Sequence, residues 1–159
     1  MSTARARGSA GAAGADRSWP AAWPLLLFAG FAALNFAVYR DALHGPFLSD
    51  DSMYLTQNPQ VQAVTLENLL EILDPTGDLA LRVANYAPLH LLGHMAEWTL
   101  FGESTPAYHL VNVALHALVV VLLIGLLRDS EVPPRWALLA GALFLVHPAN
   151  VEAVAWISQ

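Results

Sequence analysis

The chain has 159 residues, 56% of them apolar, with a net charge of −6 and no cysteine. A mean hydropathy of +0.47 is too high for an average soluble domain and fits a membrane protein. The missing cysteines exclude disulfides and cysteine-ligated zinc. Seven arginines and no lysine exclude nucleic-acid binding driven by basic charge.

Residues 1–18 are rich in Ala, Gly and Ser and carry Arg5, Arg7 and Arg17. Such a segment cannot bury a core and reads as a disordered cytoplasmic tail, ahead of a membrane domain over 19–159. Residues 21–39 hold no charge. At ~1.5 Å per residue they reach ~28 Å, close to the thickness of a bilayer core. Trp19 and Trp23 suit an interfacial belt at the start of this span. A cleavable signal peptide is the competing reading, but Ala37-Val38-Tyr39-Arg40 lacks a small-x-small site.

A second apolar span covers 107–127 and is closed by Arg128-Asp129-Ser130-Glu131. A third starts at Trp136, after Pro133-Pro134, and is expected to run over about 136–157. The short linker 128–135 makes the last two an antiparallel hairpin. The fold expected is therefore all-α and polytopic, with about three transmembrane helices and a long loop over 40–106. That loop has only Arg40 and Arg82 against nine acidic residues, whereas Arg128 and Arg135 flank the short linker. Basic residues set orientation, so the tail and short linker are placed in the cytoplasm and the long loop outside it. A loop of this length can translocate regardless of charge, so the short linker is the better witness.

Within the loop, Gly45-Pro46 and Asn58-Pro59 are turn signals. Thr65 suits an N-cap, with Glu67 in the first turn and Leu66, Leu69, Leu70, Ile72 and Leu73 following, up to Asp74-Pro75. A second helix is expected from Pro88 to Gly102. Both suit interfacial helices, lying on the membrane or packed under a larger domain. No β-pattern and no internal repeat is visible.

Several polar groups can carry chemistry. Asp50 and Asp51 are adjacent carboxylates, which favours a shared divalent cation or general-base work by one of them; a solvated loop pair is the plain alternative. Glu152 lies 16 residues beyond Trp136, ~24 Å along a straight helix, and so on the same side as the acidic pair. Pro148 is expected to kink or end the span just before Glu152, with His147 or Asn150 partnering freed backbone groups. His109, Asn112 and His116 share one face of the second span and suit hydrogen bonding between helices, or else a proton path. His90, His94 and Glu97 share a face at i, i+4 and i+7. They could ligate a metal, although Leu91 stands where an HExxH helix has Glu, and the polar side of an interfacial helix explains the same spacing.

Four stretches fall together in order and spacing. They are Phe47–Val61 (FLSDDSMYLTQNPQV), Asn85–Gly102 (NYAPLHLLGHMAEWTLFG), Tyr108–Ala117 (YHLVNVALHA) and Leu143–Ile157 (LFLVHPANVEAVAWI). In these the chain resembles the N-terminal part of bacterial membrane proteins with tetratricopeptide repeats. Those are related to the transmembrane and tetratricopeptide-repeat O-mannosyltransferases, of the protein O-mannosyltransferase-like GT-C fold. The resemblance implies an essential acid in the first extracytoplasmic loop, at Asp50 or Asp51, and a motif of His147, Pro148 and Glu152 closing the third span. It implies a polyprenyl-phosphate sugar as donor substrate and transfer to a hydroxyl, usually with inversion. Family members often carry a second His where Asn150 stands here, so no role requiring two imidazoles is carried over. Further spans and soluble helical repeats are expected in such a protein, which makes this chain a fragment, inactive alone.

The leading expectation is the N-terminal membrane part of a glycosyltransferase in the cell (inner) membrane, multi-pass, with its N-terminus cytoplasmic. Asp50 and Asp51 would be catalytic, with Glu152, His147, His94 and Asn112 in support. No cofactor is assigned with certainty; a divalent cation is one that Asp50 and Asp51 could hold. The partners expected are the lipid bilayer, a lipid-linked sugar and a protein acceptor, and no nucleic acid. The alternative is a non-catalytic membrane anchor or scaffold for a tetratricopeptide-repeat domain. A third reading is a transporter fragment using Asn112 and His116 as a polar track.

Overall fold

A computed structural model describes residues 19–158; the expected tail over 1–18 lies outside the described residues. Among the described residues the chain is helical, with no strand. Three helices form the apolar body: α1 (Trp23–Tyr39), α6 (Thr105–Asp129) and α7 (Pro134–Leu145). The segment between α1 and α6 folds into α2 (Pro59–Gln62), α3 (Leu66–Leu73), α4 (Asp78–Arg82) and α5 (Pro88–Phe101). A short α8 (Val151–Ala155) follows α7.

The three long helices alternate in direction. Near one end Asn35 Nδ2 donates to the Val113 carbonyl at 2.9 Å. Near the other, the Arg128 guanidinium lies 4.4 Å and 4.9 Å from the ring centres of Trp19 and Trp23, a cation–π arrangement. So α1 runs antiparallel to α6. The turn over 130–133 then folds α7 back onto α6, where Gly141 packs against Val120 and Ile124 and Leu145 reaches His116. The start of α6 and the ends of α1 and α7 therefore meet at one end of the bundle. Arg128 and Arg135 sit at the other.

The buried face of α6 is a helical stripe of Val113, His116, Ala117, Val120, Val121 and Ile124, with the three-and-four spacing of one helix face. Its other face exposes Leu110, Leu115, Leu118, Val119, Leu122 and Leu126, and α1 exposes Leu25, Leu26, Leu34, Phe36 and Val38. A continuous apolar surface of this kind needs a lipid or protein cover. With 25 residues, α6 is long and apolar enough to cross a bilayer. At 17 residues α1 is apolar but shorter, about 25 Å against a core of about 30 Å.

The third span, expected over 136–157, is broken where Pro148 is expected to kink or end it. α7 ends at Leu145, a 3₁₀ turn covers Pro148–Asn150, and the following helix turns away by 54°. Pro148 has no N–H to continue the ladder. The freed groups find partners: His147 Nδ1 accepts from the Ala149 N–H at 3.2 Å, and Asn150 Nδ2 donates to the Phe144 carbonyl at 2.6 Å. Glu152 thus stands on a separate short helix, and its expected position ~24 Å along one straight axis is corrected accordingly.

The long loop is a folded layer. Thr65 caps α3 by accepting the Asn68 N–H at 3.1 Å, and α5 starts at Pro88 and stops at Gly102, whose φ of 57° reverses the chain. Leu55, Val61, Ile72, Leu79, Leu91 and Met95 pack with Tyr108 and Ile157 into one buried cluster. Sequence periodicity gave no sign of the single π-helical turn over Ser52–Thr56.

Gly141 tests the α6–α7 contact. A Cβ there would stand 2.7 Å from Ile124 Cδ1 and 2.8 Å from its Cγ1. Gly141→Val should cost about 1–3 kcal/mol of stability, read as a lower midpoint of thermal unfolding in detergent. An equivalent substitution at Gly30, which has open space around it, should not.

Candidate functional site

Asp51 is the most deeply placed carboxylate at the loop end of the bundle, 1% exposed. Its position follows from a local reversal. Ser49 adopts a φ of 46°, a left-handed conformation rare outside glycine. The chain then turns back so that Asp51 Oδ2 accepts the Leu48 N–H at 2.7 Å. Its other oxygen, Oδ1, accepts the Ser158 N–H at 3.0 Å. Burial of a carboxylate is costly unless its oxygens are hydrogen-bonded, and here both are. Each oxygen keeps a further lone-pair direction.

Asp51, His109 and Glu152 line one cleft of about 220 Å³, together with Gly45, Trp156 and Ile157. The acidic residue of the first loop and the acid after the broken helix are therefore brought together. Asp50 does not share this cleft; its Oδ1 accepts from Ser49 Oγ at 3.1 Å on the outer side of the turn. His147 is exposed and caps the 3₁₀ turn.

The polar stripe of α6 faces other elements, as its spacing predicts. Asn112 Nδ2 donates to the Trp156 and Ile157 carbonyls at 2.8 and 3.3 Å. The His116 ring nitrogen Nε2 lies 3.2 Å from the Leu145 carbonyl. His109 does more than the stripe suggested, because it enters the acid-lined cleft. Gly45 makes room for it: a Cβ at that glycine would lie 3.3 Å from His109 Nε2. No local sequence signal links positions 45 and 109.

A second cleft, of about 230 Å³, lies on the other side of Ile157 and is lined by His90, His94, Glu97 and Asn112. His94 Nδ1 stands 2.6 Å from Glu97 Oε2, and the His90 and His94 rings are 4.3 Å apart. Burial, with the neighbouring His94, pushes the His90 pKa down to about 4. Among the described residues no group of three or more His, Asp or Glu side chains is arranged to hold a metal ion. Within this helix face His94 and Glu97 are hydrogen-bonded to each other.

By fold and site this is an apolar helical chain with an acid-lined cleft at one end of its bundle. In sequence it is similar to protein O-mannosyl-transferases. It is 38% identical over 136 residues to protein O-mannosyl-transferase Tmtc1 of Drosophila melanogaster, covering 80% of this chain and 15% of the relative. It is 35% identical to protein O-mannosyl-transferase tmtc2 of Xenopus laevis, covering 79% and 15%. It is 30% identical to human protein O-mannosyl-transferase TMTC4, covering 87% and 20%. The resemblance to O-mannosyltransferases read from the sequence is thus borne out, and the chain spans only 15–20% of the length of these curated relatives. No family model matches the chain and no solved structure matches it.

Two outcomes are expected from this geometry. Asp51→Ala should speed hydrogen exchange at the Leu48 and Ser158 amides about 10–100-fold, the loss of a charge-assisted bond worth about 1.5–3 kcal/mol, while Asp50→Ala leaves both amides protected. His90, with its folded pKa below the unfolded 6.5, is stabilising above pH 6.5, and that contribution is lost as pH falls towards about 4. Denaturant titrations from pH 7 to pH 4.5 should show this loss, and His90→Gln should reduce it.

Proposed function

We propose that this chain is the membrane part of a glycosyltransferase that moves a sugar from a polyprenyl-phosphate donor to a hydroxyl of a protein acceptor. The observation that carries this reading is the convergence of Asp51 and Glu152, about a hundred residues apart in sequence, in one cleft. The relatives named as O-mannosyl-transferases support the class of reaction. In the reaction, the Asp51 carboxylate takes the proton from the acceptor hydroxyl. The acceptor oxygen forms a bond to the anomeric carbon, while the bond from that carbon to the phosphate oxygen breaks. The polyprenyl phosphate leaves with the electron pair, and the configuration at the anomeric carbon inverts. Glu152 lines the same cleft and serves as the second polar anchor for the substrates.

In this reading α1, α6 and the broken α7–α8 pair cross the bilayer, and the exposed leucines of α1 and α6 face lipid. The Arg128 and Arg135 end is cytoplasmic with the N-terminus, and both clefts open on the extracytoplasmic side. The complete enzyme is longer than this chain, in keeping with the length of the relatives.

A non-catalytic anchor for a tetratricopeptide-repeat domain is the second reading. It is favoured by one observation: both Asp51 oxygens already bind backbone N–H groups, which is what a purely structural carboxylate does. The two readings separate in the full-length protein, in membranes supplied with a polyprenyl-phosphate sugar. Asp51→Asn should lower transfer by about 10²–10⁴-fold, the usual contribution of a general base, and Glu152→Gln should also lower it. Undiminished transfer in Asp51→Asn and in Asp50→Asn would leave only the anchor.

A further inference from the structure

α3 carries apolar side chains on two faces, and the fold uses one of them. Ile72 is 1% exposed in the buried cluster, and Leu69 packs against that cluster. Leu66, Leu70 and Leu73 fall at i, i+4 and i+7, a second stripe of the helix, and are 73%, 59% and 51% exposed. Val64, just before the helix, is exposed as well. Beyond the stripe the Tyr86 hydroxyl donates to the Leu73 carbonyl at 3.1 Å, which holds that residue at the end of α3. Tyr86 in turn lines a cleft of about 440 Å³ with Pro75, Leu81 and Ala84, and Leu81 is exposed too. A contiguous apolar patch of this kind marks an interaction surface.

The charge of this segment decides what covers the patch. Glu67, Asp74 and Asp78 are exposed carboxylates of α3 and α4 and the turn between them. The one cation over 63–86 is Arg82, and its guanidinium donates to Gln60 and Asn58. Helices that lie on a bilayer carry Lys and Arg beside the apolar stripe, with Trp or Tyr at the headgroup level. Here the polar side is acidic, and Tyr86, the one aromatic of the segment, has its hydroxyl on the chain itself. A second copy of the same face would set carboxylates against carboxylates, an unfavourable pairing. A cationic amphipathic helix meets neither cost. Its apolar residues at three-and-four spacing match the leucine stripe, and its Lys or Arg match the acids.

We infer that the outer face of α3, with the adjoining cleft at Tyr86 and Leu81, docks a cationic amphipathic helix of a separate protein. Leu66, Leu70 and Leu73 supply the apolar contact, and the cleft receives a side chain from beyond the end of the stripe. Glu67, Asp74 and Asp78 set the partner's orientation and speed its arrival. This surface shares no residue with the acid-lined cleft or with the cleft at His94. Docking there goes beyond the transfer reaction and does not require it.

The chain has no cysteine, so Ala63→Cys, at an exposed position beside Val64, carries a single environment-sensitive dye. The labelled chain, in nanodiscs of zwitterionic lipid, is titrated with a synthetic Leu/Lys helix whose leucines stand at i, i+3, i+4 and i+7. The same helix with Glu for Lys is the control. The Leu/Lys helix should give a saturable response that weakens as salt rises, and the Leu/Glu helix should bind about tenfold more weakly or worse. Leu70→Ser should weaken the Leu/Lys helix about tenfold, and Glu67→Gln with Asp78→Asn should weaken it and flatten its salt dependence. These variants replace exposed groups, so the Leu48 and Ser158 amides should stay protected from exchange. Any of four results would overturn the inference. They are no saturable response to the Leu/Lys helix below about 1 mM, equal binding of the two helices, undiminished binding by Leu70→Ser, and quenching of the dye by brominated lipid before peptide is added. The last would put the bilayer over this face. Because the readout is binding at α3, the proposed transfer reaction can fail while this surface stands, and the reverse.

Discussion

The loop end of this protein depends on the Asp51 carboxylate. It accepts one N–H from three residues before it and one from Ser158, 107 positions after it. The first bond closes the turn that Ser49 begins; the second ties the end of the chain to that turn. Without both, an acid 1% exposed would have no compensation for leaving water. With both, the segment over 156–158 becomes a fixed wall, and each side of that wall is a cleft. The cost of burying one charge and the definition of two sites have the same origin.

Asn112 completes the wall from the other side, by donating to the Trp156 and Ile157 carbonyls. These are backbone groups in a short irregular stretch after α8, where no helical ladder can satisfy them. The polar stripe of α6 is therefore spent on its neighbours: Asn112 on this stretch, His116 near the Leu145 carbonyl where α7 breaks, and His109 near Gly45. In an apolar body a helix break survives only where side chains or backbone re-satisfy the freed groups. The α6 stripe and the α7 break are two halves of one arrangement.

The two clefts differ in what they can recognise. One gathers Asp51, Glu152 and His109, groups suited to moving protons. The other holds the His94–Glu97 pair beside Asn112. Because only Ile157 is common to both, a molecule held in one would lie next to chemistry in the other.

Much of this was legible in the sequence because it is local. The helical periods, the Thr65 cap, the Pro88 start, the Gly102 stop and the break at Pro148 each follow from dihedral and hydrogen-bonding preferences within a few residues. The four stretches on which the resemblance was read pointed to the loop-one acids and Glu152 as candidates. The π turn after Asp51, the bend of 54° beyond α7, the entry of His109 into the acid cleft and the exclusion of Asp50 from it were not legible. Adjacent aspartates are equivalent in sequence; only the left-handed Ser49 and the distant Ser158 N–H distinguish them. By itself the sequence determined the longer helices and which of their faces are polar, since those depend on neighbours three and four residues apart. The tertiary structure alone decided which polar groups meet, because contacts across a hundred residues are fixed by packing and leave no periodic trace along the chain.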